Sequence, residues 1–206
     1  MTLGEVTAPG SVVLPTWPVS GVPYPSGRLI IVPSASYPTL LQAQLAASYP
    51  SQSSAIVVIN AGKSGEHPHE GKDRLSEALT ATRPEVLLLW EGANSLRLYG
   101  SDLPTDALSD MIVDARSRGV QVFVGNVPPT RLGLRLSQPL DQLQLINPKI
   151  AAMAAARGAV LVDVYSALLP DVNTLIGDDG LHPTEAGYKR IADVFFAAIL
   201  ANLEVK

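Results

Sequence analysis

Residues 178–188 read DDGLHPTEAGY and place two aspartates just ahead of a histidine, in a chain that holds 3 histidines in all. A carboxylate three positions before an imidazole, in a turn closed by a proline, can fix the ring tautomer. It also supports the imidazolium formed when the ring takes a proton. Asp179 and His182 are therefore the candidate orienting acid and general base, and Thr184 suits the cap of a helix that follows. Two other stretches offer donors to a developing negative charge. In AGKSG, 61–65, Gly62 and Gly65 permit a tight bend that presents backbone N–H groups, although an ordinary turn reads the same way. In EGANSL, 91–96, Asn94 carries a side-chain amide just beyond an apolar run, where asparagine is also a common turn residue.

Other chemistries fit less well. A phosphate-binding loop needs a glycine five residues before Gly62, and Val57 stands there. In EHPHEG, 66–71, His67 and His69 can be drawn with Glu66, Glu70 or Asp73 as a metal cluster. Two histidines flanking a proline are a poor ligand pair, however, and no helical i,i+4 spacing or third histidine nearby supports them. No cofactor or metal is implied.

The elements that must position these residues are legible as a repeating pattern. Four apolar, β-branched runs at 54–60, 85–91, 120–127 and 159–165 read as strands buried on both faces. Amphipathic stretches at about 38–48, 71–82, 105–118, 141–157 and 184–203 read as helices between and after them. Strands alternating with helices predict right-handed βαβ units, hence a three-layer α/β/α sandwich around a parallel sheet. Ligands bind such sheets at the carboxyl ends of the strands, which is where AGKSG, EGANSL, NVPPTR and DDGLHP all fall. The whole chain, 1–206, reads as one domain, with 1–36 an irregular Pro- and Gly-rich region and 37–206 the regular core.

Composition narrows the partners. A net charge of -4 provides no basic stripe for nucleic acid. Mean hydropathy is +0.21, yet no apolar run approaches the roughly 20 residues a spanning helix needs, so no membrane partner is expected. The first residues show no basic region followed by an apolar core, so no signal peptide is visible and a cytoplasmic location is the default expectation. Without cysteine there is no disulfide, thiolate nucleophile or cysteine-held metal.

From about 37 to 203 the chain resembles the SGNH, or GDSL, hydrolase family of esterases, lipases and acyl-hydrolases. VINAGKSGE resembles the block whose glycine gives an oxyanion N–H, implying that role for Gly65. LLLWEGANSL resembles the block whose asparagine is the other donor, implying Asn94, with Ser95 standing where the family usually has aspartate. DGLHPTEAGY resembles the block with the catalytic Asp179 and His182, and LQLINPKIAAMAAARGAVLVDVY resembles the helix and strand before it. The resemblance implies a parallel, flavodoxin-like sheet and serine-type hydrolysis of a small carboxylic ester through an acyl-enzyme. The alternative expectation is a non-catalytic module that holds an acyl or glycan ligand in the same crevice.

The family's nucleophile lies in a Gly-Asp-Ser-x-Thr-x-Gly motif after the first strand, and no Gly-Asp-Ser triplet occurs in these 206 residues. MTLG, 1–4, matches the x-Thr-x-Gly that follows the serine, which leads to the expectation that the first strand and its serine lie upstream. That strand is interior in the order 2-1-3-4-5, so its neighbours would be left with unpaired edges. A second copy of the chain, making a homo-oligomer, or an internal segment would then cover them. The internal candidate is RLIIVPSASYPTLLQ, 28–42, with a strand at 29–32, a turn at 33–36 and a helix from Tyr37. It carries Ser34, or failing that Ser36, to the sheet edge as a replacement nucleophile; SVVL, 11–14, with Thr16 is the poorer filler.

Overall fold

The computed structural model describes residues 2–4, 18–19, 22–23, 33–63 and 65–203. Strand β1 is Thr2–Gly4, and Pro18–Val19 (β2) pairs antiparallel with Val22–Pro23 (β3) apart from the main sheet. A 3-10 turn at Pro33–Ala35 leads into α1 (Tyr37–Ser48). There follow α2 (Pro68–Thr82), β4 (Val86–Trp90), α3 (Leu96–Tyr99), α4 (Asp102–Ser117), β5 (Gln121–Gly125) and α5 (Leu140–Arg157). The chain continues through β6 (Val160–Val162), α6 (Val164–Leu168), α7 (Val172–Leu175) and α8 (Glu185–Leu203).

The main sheet runs β1-β4-β5-β6, all parallel. Because side chains alternate across a strand, Leu87 and Leu89 of β4 and Val122 and Val124 of β5 pack with helices α2, α4 and α5 on one face. Leu88, Trp90, Phe123 and Val162 pack with α1 and α8 on the other. The result is the α/β/α sandwich expected from the apolar runs, and it delivers every strand's carboxyl end to one edge.

Three expectations are corrected. Residues 54–60 do not form a strand: 51–55 are turns, 56–59 are irregular and Asn60 makes only an isolated bridge. Ile56 and Val58 pack inward while Val57 is 69% exposed, so the alternation is that of a strand with one buried face. Among the described residues, the Gln42 side chain accepts from Val58 N (2.5 Å) and donates to Ile56 O (2.8 Å), while Ile56 N donates to Gln52 O (3.2 Å). Second, 1–36 is not wholly irregular, since β1, β2 and β3 fall within it. The described strand beside β4 is Thr2–Gly4, in register Thr2 with Leu88 and Gly4 with Trp90, whereas the proposed filler at 29–32 and SVVL lie outside the described residues. Third, the run at 159–165 ends as a strand at Val162, because Asp163 caps α6 by accepting from Ser166 N.

Candidate active site

Residues 176–183 form a closed turn between α7 and α8. An antiparallel bridge joins Ile176 to Pro183, Gly177 N donates to His182 O (2.8 Å), and Gly180 N donates to Gly177 O (3.0 Å). Thr184 Oγ1 accepts from Gly187 N (3.1 Å), capping α8 as its residue type predicts. Inside the turn, Asp179 is 3% exposed. Its Oδ1 accepts from the backbone N–H groups of Leu181 (2.9 Å) and His182 (3.0 Å), and its Oδ2 lies 2.6 Å from His182 Nδ1. Burial on its own raises the carboxyl pKa, but the hydrogen bond and charge of His182 with the two backbone donors outweigh it, leaving Asp179 below its ordinary value. With Nδ1 committed to Asp179, Nε2 is the His182 nitrogen that would exchange a proton with a reacting group. Of the two neighbouring aspartates, Asp178 is turned outward and pairs with Arg131 (2.9 Å).

Asn94 sits in the 3-10 turn Ala93–Ser95, directly after β4. One proton of its Nδ2 goes to Glu66 O at 3.3 Å, and a primary amide has a second to offer. Gly65, at φ +76, precedes Glu66 and is solvent-exposed. The structure therefore joins the AGKSG loop to the EGANSL turn through the Asn94 amide. A cavity of about 20 Å³, lined by Glu66, Asn94, Val127, Pro128, Leu181 and His182 among others, brings the base and the amide donor to one place.

Ser34 is not brought there: it is exposed on the 3-10 turn before α1 and is not among the described residues lining the cavity. Ser36 is buried, with its Oγ 3.0 Å from Thr39 Oγ1 at the start of α1. His67 and His69 stack on each other (5.5 Å, 14°) and meet the Tyr99 ring edge-on; among the described residues no group of three or more His, Asp or Glu gathers as a metal site.

Sequence reasoning missed the groups that hold these residues in place. Glu66 is 5% exposed and is clasped by Arg74, whose Nε donates to both carboxylate oxygens (2.9 and 3.1 Å), whose Nη2 makes a further ion pair with Oε2, and whose Nη1 reaches Ala61 O. Arg74 thus ties both ends of the 61–66 loop to α2. Ser95 is fully buried and places its Oγ 3.0 Å from Nδ1 of His67, the N-cap residue of α2, so the EGANSL turn is fastened to the start of α2 through the position where the family usually has aspartate. Arg74 carries no local signal, since its partners lie 8 and 13 residues away and only the folded loop brings them within reach.

Comparison with known proteins agrees with this architecture. The model of the GDSL-like lipase/acylhydrolase family matches residues 14–190. An acetylxylan esterase of Xylanibacter ruminicola is 24% identical over 185 residues, covering 79% of this chain and 38% of that protein. A GDSL-like esterase of Mycobacterium tuberculosis is 29% identical over 134 residues, covering 60% of this chain and 42% of its own length. The chain thus spans about two fifths of the length of these relatives. Among solved structures, a family 3 carbohydrate esterase of Clostridium thermocellum superposes with a TM-score of 0.68 at 22% identity, covering 98% of this chain and 94% of that one. The fold, the order of its blocks and the extent of the family match lead to one assignment: the chain belongs to the GDSL-like lipase/acylhydrolase family.

Proposed function

We propose that this domain hydrolyses carboxylic esters through a serine acyl-enzyme, with His182 as general base and acid and Asp179 orienting it. The Asn94 amide and the Gly65 N–H receive the oxyanion. The observation that carries the reading is the 2.6 Å contact between Asp179 and His182 on a cavity that Asn94 also lines. In the reaction, the serine Oγ attacks the ester carbonyl as its proton passes to His182 Nε2. The imidazolium then gives that proton to the departing alkoxide, and water repeats the sequence to release the acid. The hydroxyl belongs at the carboxyl end of the strand beside β4, where Gly4 now pairs with Trp90 and the turn bearing Asn94 begins. Ser34 is exposed and is not among the described residues lining the cavity, which argues against it as that hydroxyl.

The substrate class proposed is a short-chain ester, with acetylated carbohydrates foremost. A cavity of about 20 Å³ bounded by Val127, Pro128 and Leu181 has room for about one water-sized group, which is also the scale of an acetyl methyl. Carbohydrate esters are likewise the substrates named for the Xylanibacter and Clostridium proteins. The test is initial rates on p-nitrophenyl acetate, butyrate and octanoate and on acetylated xylo-oligosaccharide. Two proteins are compared: the 206-residue chain and the same chain carrying His182→Ala. Turnover of the acetyl esters that depends on His182 supports the proposal. Ligand binding without turnover in every form favours the non-catalytic module instead.

A further inference from the structure

The turn that carries Asp179 and His182 is gripped from outside by the loop after β5, residues 126–138. Thr130 is 8% exposed, and its hydroxyl donates to Gly180 O (2.6 Å) while accepting from Gln138 N (3.0 Å), so both hydrogen-bonding roles of the group are used. Arg131 N donates to the same Gly180 O (3.1 Å), and Leu136 N donates to Asp179 O (2.7 Å). The Arg131 guanidinium reaches Ile176 O (3.2 Å) and Asp178 Oδ1 (2.9 Å). Ser137 Oγ accepts from Leu134 N (2.8 Å) and bonds Arg131 O, which keeps the gripping loop folded on itself. The fit is close: a Cβ built on Gly180, at φ +91, would lie 2.8 Å from Leu134 Cβ and 3.0 Å from Arg131 O.

We infer that Thr130 and Arg131 are positioning residues that select which of two adjacent carboxylates serves His182. Asp178 and Asp179 are adjacent in sequence yet face opposite ways, Asp178 outward onto Arg131 and Asp179 inward onto His182. Arg131 draws Asp178 outward, while Thr130 with the backbone of 131 and 136 fixes the carbonyls of Asp179 and Gly180 so that Asp179 faces inward. The grip acts through the turn's carbonyl oxygens and the Asp178 carboxylate, and none of these bonds goes to the imidazole or to the Asp179 carboxylate. This inference rests on the proposed pairing of Asp179 with His182 as the working acid-base couple.

The test needs no turnover and uses the 206-residue chain. The His182 imidazole is followed by proton and nitrogen NMR across a pH titration in the parent and in Thr130→Val, Thr130→Ser, Arg131→Gln and Asp179→Asn. The expected result in the parent is a strongly downfield Nδ1 proton, lost in Asp179→Asn together with a fall in the His182 titration midpoint. Thr130→Val and Arg131→Gln should weaken or broaden that resonance and move the midpoint the same way, with amide spectra otherwise folded; Thr130→Ser, which keeps the hydroxyl, should return both to the parent's. If Asp179→Asn leaves the resonance unchanged, the underlying pairing is wrong. If Asp179→Asn removes it but Thr130→Val and Arg131→Gln match the parent, the pairing stands and the positioning role is overturned.

Discussion

Two stretches of this chain announce themselves equally in sequence, the apolar run at 54–60 and the turn at 176–183, and they meet opposite ends. The run has the β-branched composition of a buried strand, yet among the described residues its backbone at Ile56 and Val58 is met by the Gln42 side chain and by Gln52 O rather than by a strand ladder. The turn has few apolar residues, yet nearly every polar group in it has a named partner, from the Asp179 carboxylate to the carbonyls of Ile176, Asp179, Gly180 and His182. Apolar alternation makes a segment pack; a strand needs a neighbouring backbone as well, because its N–H and C=O groups must be answered. A loop answered by a second loop can be held more firmly than a strand-like segment with one buried face.

The largest effect should come from the turn's chemistry. In the 206-residue chain, His182→Ala should lower kcat for p-nitrophenyl acetate by about 10³-fold or more, because the base and acid are lost together. A Asn94→Ala change should cost about 10²-fold with KM nearly unaltered, as expected for an amide that acts on the developing oxyanion. A small KM-only effect would instead make Asn94 a turn residue.

Next comes the packing between the two loops. Gly180→Ala places a Cβ into Leu134 and Arg131 at a positive φ, and should destabilise the fold by about 2–4 kcal/mol in urea unfolding. Acid tests the same turn with the opposite control. A depressed carboxyl pKa contributes stability that is complete above the unfolded aspartate value of about 3.9 and is lost as pH falls through the lower folded value. Over that acid range the parent's urea midpoint should therefore fall more steeply than that of Asp179→Asn. Parallel curves would remove the claim that the native turn favours the Asp179 carboxylate.

The smallest effect belongs to 54–60. Gln42→Ala should cost about 1 kcal/mol and release the Val58 amide to hydrogen exchange, leaving the Leu181 and His182 amides as protected as before. Loss of protection in both regions would show that they open together and that the contrast drawn above is false.

Much of this was legible beforehand. The helices at Pro68–Thr82, Asp102–Ser117, Leu140–Arg157 and Glu185–Leu203 follow from apolar periodicity, and the Asp179–His182 contact from a three-residue spacing closed by Pro183. What was not legible depends on partners far away in sequence. Gln42 bonds backbone groups 14 and 16 positions away, and Thr130 bonds a carbonyl 50 positions on. The expected filler at 29–32 rested on an apolar run followed by a turn and a helix; it lies outside the described residues, and the described strand beside β4 on that side is Thr2–Gly4, whose three residues are too few to be picked out by pattern.

The most direct test of the central claim is covalent trapping with a fluorophosphonate, read by intact mass and peptide mapping. The 206-residue chain is compared with the same chain carrying His182→Ala. The account predicts a single serine adduct that is lost with His182→Ala, and no adduct on Ser34 or Ser36. An adduct on Ser34 or Ser36, or serine labelling that is indifferent to His182, would contradict it.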